Sequence, residues 1–185
     1  MDPIGGVMTV PRYLAAAAVV LLTTAVVSTA PAQATDAAEV VRARGSLHDL
    51  QLSTTGPFDD ARARFLMVQR QGSSVVILKV RGIDQSVAGR TFGAHLHTGP
   101  CVTGNGAAAG PHYNADTVAG HVPPRVDAST EVWLDFEVTP AGKGFAIARV
   151  PFTPLPGNRS VVIHEMPTDH HGAAGPRQAC LPVSW

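Results

Sequence analysis

The sequence predicts an all-β domain, a sandwich or small barrel of about eight short antiparallel strands, on three observations. Short β-rich runs recur along the chain, separated by glycine, proline and polar turns. One of them, EVWLDFEV at 131–138, sets Val132, Leu134, Phe136 and Val138 against Glu131, Trp133, Asp135 and Glu137, the pattern of a strand with one core face and one wet face. Few segments carry the apolar spacing of a helix.

The first segment stands apart from this pattern. Arg12 precedes an apolar run, YLAAAAVVLLTTAVVSTA, and then PAQATDA; a basic residue, a hydrophobic stretch and a small-residue site make a secretory leader. Ala32-Gln33-Ala34 fits the cleavage site, so residues 1–34 are expected to be a signal peptide and residues 35–185 an exported domain, secreted or held in the cell envelope. The rival reading is a retained anchor, because the run approaches the ~20 residues of a spanning helix. The threonines inside the run and the A-x-A site after it favour cleavage, and no cysteine stands beside the site as a lipoprotein would need.

Of 14 basic and 14 acidic residues, the leader holds only Arg12 and Asp2, so the remaining 151 residues carry 13 of each. That balance, with no basic cluster in the sequence, predicts neither a nucleic-acid partner nor an anionic membrane surface for the exported domain. The length suits one domain with its own core.

Strands are expected at 40–53, 63–70, 74–81, 91–97, 131–139, 144–151, 160–166 and 178–184. Pro140-Ala141-Gly142-Lys143-Gly144 reads as a hairpin between the fifth and sixth of these. Two connections are too long for the rhythm: 98–130, rich in Gly, Ala and Pro, and 166–177. Loops of that length in a compact domain are functional or disordered. Both follow a histidine-bearing strand.

Eight histidines are present, at 48, 95, 97, 112, 121, 164, 170 and 171. In GAHLHTGPC, at 93–101, His95 and His97 share one strand face while Phe92, Ala94 and Leu96 take the other. His112 lies in AGPHYN, and His164 in RSVVIHE, where Val161 and Ile163 point inward and His164 outward. Three segments thus present imidazoles at non-core positions, and neutral imidazole suits copper, zinc, iron and nickel. Cys101 and Cys180 are the two cysteines. In an exported protein a disulfide is the expected state, worth roughly 4–5 kcal/mol in the chain-entropy model, with two buried free thiols as the alternative.

Together GAHLHTGPC, GPHYN, SVVIHE and GPRQAC resemble, in order and surroundings, the copper/zinc superoxide dismutases, over roughly residues 40–185. The resemblance implies an eight-stranded Greek-key β-sandwich with copper on its outer face. It implies that His95, His97, His112 and His164 hold copper, with His112 in the position that bridges copper to zinc. Arg177 matches the arginine beside the copper. Cys101 and Cys180 match a disulfide tying the first long loop to the last strand. In that reading copper oxidises one superoxide to oxygen and reduces a second to peroxide, with protons from water and from His112. Arg177 offers a permanent charge and a fork of donors to the approaching anion.

The zinc half of the pattern is incomplete. The family needs two more histidines and an aspartate, and here only His121 and Glu131 are available. The reading that fits is a copper-only branch in which Glu131 hydrogen-bonds the distal nitrogen of His112 in place of zinc, with residual zinc on His112, His121 and Glu131 as the alternative. The segment between His164 and Arg177 is also short, 12 residues, as in the zinc-free branch of the family. His170 and His171 within it are expected to be solvated. HEMPT lacks the second histidine of the zinc-helix motif, GNGAAAG lacks the lysine of a phosphate loop, and no G-x-S-x-G elbow occurs.

The expected function is a copper-dependent superoxide dismutase, monomeric or homodimeric. The alternatives are an exported copper-holding protein with little turnover and a structural sandwich without metal.

Overall fold

The computed structural model describes residue 1, residues 5 and 6, and residues 37–185; the apolar run of the expected leader and its cleavage site lie outside the described residues. The chain divides into two units, Met1–Ala34 and Thr35–Trp185, and every residue of the described core belongs to the second. Among the described residues no helix is long and apolar enough to cross a membrane.

Two four-stranded antiparallel sheets face each other. The first runs β1 (Glu39–Ser46), β3 (Arg62–Arg70), β4 (Ser73–Arg81), β8 (Lys143–Val150). The second runs β2 (His48–Asp49), β10 (Arg177–Ser184), β9 (Asn158–His164), β6 (Ala94–His97). A third pair, β5 (Thr91–Phe92) with β7 (Phe136–Glu137), closes one end. After β4 the chain crosses to the second sheet, returns to lay β8 beside β4, and crosses again to β9 and β10, connections of Greek-key kind.

Period-two patterning sets the core. Phe65, Met67, Val76, Leu78, Leu96, Val161, Ile163 and Leu181 alternate with exposed or loop-covered neighbours and fill the space between the sheets. At one end Phe58 meets Phe92 edge to face, with ring centroids 5.0 Å apart, and Phe136 completes the cluster.

Three expectations are corrected. The run 40–53 is not one strand: Ser46 pairs with Arg62 of the first sheet and His48 with Cys180 of the second, so the chain turns from sheet to sheet at buried Leu47. The turn at 140–144 forms, with Gly142 in the left-handed region and its amide donating to Thr139 O, but it joins no hairpin. β7 pairs with β5 in the separate two-stranded sheet, and β8 pairs with β4 at the edge of the first sheet. Finally, the second face of 131–138 is not wet at its start: Glu131 is 4% exposed, and Trp133 and Asp135 are half-buried, because the long loops fold over them.

Candidate metal centre

The second sheet supplies the floor of the site. His95 and His97 alternate with Ala94 and Leu96 on β6, so the same pairing that buries the apolar pair inward turns both imidazoles outward. His164 ends β9, two residues after Val162 on the same outward face. His112 arrives from the first long loop, which makes a bridge between His97 and His112. Outward here does not mean solvated, since His95 and His97 are fully buried beneath the loops and His164 nearly so.

The roof depends on close backbone approach. A Cβ on Gly93 would stand 2.7 Å from Ala174 Cβ and 2.8 Å from Met166 O, so only glycine lets the 165–176 segment settle against β6. Gly93 N donates to Met166 O and His164 N donates to Gly93 O, which lock that segment to the floor. The first long loop is fixed by Asn114, which caps α1 (Ala115–Val118) and donates to Arg125 O and Glu131 Oε1. Arg125 forks onto Asp116 at 2.8 and 3.1 Å and holds that carboxyl well below the usual carboxylate range. The Cys101–Cys180 disulfide ties this loop to β10.

Each ring is anchored through one nitrogen. His97 Nδ1 donates to Gly110 O at 3.0 Å and His164 Nδ1 to Gly175 O at 3.0 Å. A carbonyl only accepts, so these nitrogens carry the proton and the Nε2 lone pairs point into the site. His112 Nδ1 stands 2.9 Å from Glu131 Oε2, which also accepts from Trp133 Nε1 at 3.0 Å. His95 is set the other way round. Asp135 accepts from Thr168 Oγ1 at 2.6 Å and from Thr168 N at 2.7 Å, so the threonine oxygen is free to accept from His95 Nε2 at 2.8 Å. That leaves His95 Nδ1 buried with no partner.

The four remaining nitrogens converge, with ligand atoms of His95, His97, His112 and His164 all within 4.8 Å of one another. Two of them, His97 Nε2 and His164 Nε2, lie 3.2 Å apart. Two lone pairs aimed at each other at that distance repel unless a cation lies between them, and 3.2 Å suits two nitrogens sharing one ion at about 2.0 Å each. A proton is a poor substitute here. Burial, reinforced by the neighbouring imidazoles, pushes His95 far below the ordinary histidine range, His97 to about 2 and His164 to about 4. An orphaned buried nitrogen and a facing pair of neutral imidazoles both fit a metal ion.

Glu131 is also shifted. Burial alone would raise its carboxyl, but hydrogen bonds from His112, Trp133 and Asn114 outweigh it and the net shift is downward. Both oxygens are thereby taken by N–H donors. His121 is not drawn into the cluster; its exposed ring pairs with Asp116 Oδ1 at 3.2 Å. Arg177, opposite His164 in the β9–β10 ladder, donates to Gly106 O and, at 2.7 Å, to Gly110 O, the carbonyl that also holds His97. His170 and His171 are exposed, with ring centroids 3.8 Å apart. Asp135, Thr168, Trp133 and Asn114 escaped the sequence reading. Of these, only Asp135 carried a signal, an acid on the outward face of an alternating strand.

These sheets and this cluster define the class: a β-sandwich of the superoxide dismutase-like fold, bearing a four-histidine group that can hold a metal ion. No protein-family model and no curated protein matches the chain. Among solved structures it is similar to the clock protein EA4, at 18% identity and a TM-score of 0.52, covering 78% of this chain and 92% of that one. It is similar also to a double mutant, with two substitutions to histidine, of a SOD-like protein from Bacillus subtilis: 19% identity, TM-score 0.52, 77% of this chain and 97% of that one. At these identities the likeness establishes the fold.

Proposed function

We propose that the protein is an exported, copper-dependent superoxide dismutase of the copper-only kind, with His95, His97, His112 and His164 as ligands. The observation that carries this reading is the inward convergence of four imidazole nitrogens, one of them buried and unpartnered. Nitrogen ligands without thiolate suit copper, and the disulfide removes both cysteines as competitors and agrees with an oxidising compartment. Glu131, saturated by N–H donors, favours an orienting role on His112 over a zinc ligand.

Bound copper would supply a one-electron couple, so that two superoxide anions and two protons become oxygen and hydrogen peroxide. The protein's own residues do the rest. Low ring basicity keeps His95, His97 and His164 neutral and ligand-competent across the physiological range. His112 is the ring with solvent access, its side chain 18% exposed, and Glu131 fixes its Nδ1 proton. Its Nε2 would hold the metal, and once released from the reduced ion would be the atom placed to take a proton from water and hand it to the reduced product. Arg177 is held rigidly by two loop carbonyls, and its charge is felt at His97 and His164. It attracts a small anion toward the cluster.

The test is copper loading of the protein followed by direct measurement of superoxide decay. The reading expects bound copper, superoxide decay that persists in enough chelator to silence free copper ions, and loss of retained copper in His95→Ala and His164→Ala. Tight copper retention with no chelator-resistant superoxide decay would leave the copper-holding alternative, and no retention would leave neither.

A further inference from the structure

The balanced charge of the whole chain conceals an asymmetry between the two sheets. Strand alternation turns every second residue of the first sheet outward, and the ladder register sets these residues in rows. Ser46, Arg62, Arg81 and Lys143 form one row. Arg44, Arg64, Lys79 and Phe145 form the next. The face then turns apolar, through Arg42, Leu66, Ile77 and Ile147 to a last row of Val40, Val68, Val75 and Arg149. Eight of the chain's 14 lysines and arginines thus stand on these four rows, with no Asp or Glu among them. The ion pairs of the described residues involve His112, His121 and Arg125 and none of these eight cations. Beside them Phe145 is 57% exposed, Ile147 42% and Val40 38%.

We propose that this face docks on an anionic lipid surface, its cations against headgroup phosphates and Phe145, Ile147 and the valine row at the boundary with the acyl chains. The composition selects this occupant. A second copy of the chain would bring eight cations against eight. A soluble polyanion would use the cationic rows and leave the apolar rows in water. A headgroup layer over hydrocarbon matches both halves, and each cation near such a surface raises partition roughly fivefold at low salt. The histidine cluster lies on the outer face of the opposite sheet, so docking does not cover it.

The test uses residues 35–185, which contain the entire described core, both sheets and the disulfide. The probes are vesicles of phosphatidylcholine alone and with a third phosphatidylglycerol, read by flotation. The inference expects binding only to the anionic vesicles, weakened by added salt, and reduced at least ~tenfold in Arg64→Glu/Lys79→Glu. Both side chains are exposed, so an unchanged melting temperature and unchanged copper uptake will show that this variant is folded. Phe145→Ser is expected to lose at least ~threefold through its buried apolar area. Equal binding to both vesicle types, or full binding by the charge-reversed variant, overturns the inference. Unchanged binding by Phe145→Ser, with displacement by inorganic polyphosphate, overturns it in favour of a soluble polyanion.

Discussion

Glu131 holds the Nδ1 proton of His112 at 2.9 Å, and with it the orientation of the most solvent-accessible ring of the cluster. Glu131→Ala is expected to weaken retained copper ~10–100-fold, the usual cost of losing such a partner. Glu131→Gln keeps an oxygen acceptor and should recover part of the loss. Competitive titration against a chelator checks both, and equal copper retention in wild type and Glu131→Ala would refute the role.

Thr168 acts on His95 through its hydroxyl and is itself fixed by Asp135. Thr168→Val preserves shape and removes the acceptor, so His95 Nε2 loses its partner while the loop's backbone bond from Thr168 N to Asp135 survives. Copper affinity should fall ~tenfold, with a shifted visible spectrum of the cupric protein, and Thr168→Ser should restore both.

Acid should unfold the metal-free protein early. Buried His95, His97 and His164 have folded pKa values below the unfolded value, to about 2 for His97 and about 4 for His164, so the unfolded chain binds more protons below about pH 6.5. Each group then removes up to about 1.4 kcal/mol of stability per pH unit as pH falls, until its own folded pKa is reached. Glu131, with a lowered carboxyl, adds a further loss below its ordinary value of 4.5. Urea unfolding at pH 7, 6 and 5 should show stability falling with pH, and bound copper should oppose the fall until protons displace it.

Replacing both Cys101 and Cys180 by serine opens a loop with a sequence separation of 79. The chain-entropy model gives a loss of roughly 4–5 kcal/mol. Because the bridge ties β10 to the loop that carries Gly110, copper retention should fall as well. Urea titration and metal analysis on the double variant measure the two effects separately.

The sequence was most legible where side-chain periodicity and packing agree. His95 and His97 could be read as outward because Ala94 and Leu96 must go inward, and His164 followed from Val161 and Ile163 in the same way. Glu131 as partner of His112 came from the resemblance and from its acid chemistry, not from its alternation, which suggested exposure. What periodicity cannot show is cover. Thr168 and Asn114 sit in loops without a repeat, and their positions depend on backbone hydrogen bonds and on Gly93 admitting a neighbouring segment. The break of 40–53 at Leu47 was hidden for a related reason, since both halves alternate correctly and only the partners differ. Net charge, as a sum over the chain, says nothing of how strand alternation sorts cations onto one face.

The acceptors that fix His97 and His164 lie 13 and 11 residues further along the chain, and the His95–Thr168 and His97–His164 contacts span 73 and 67 residues. A ribosome that has released only the first two-thirds of the polypeptide has therefore delivered His95 without Thr168 and His97 without His164. Capture of an ion by all four rings would require the chain to be complete through Gly175, and an ion so held would be a certificate that the molecule has finished folding.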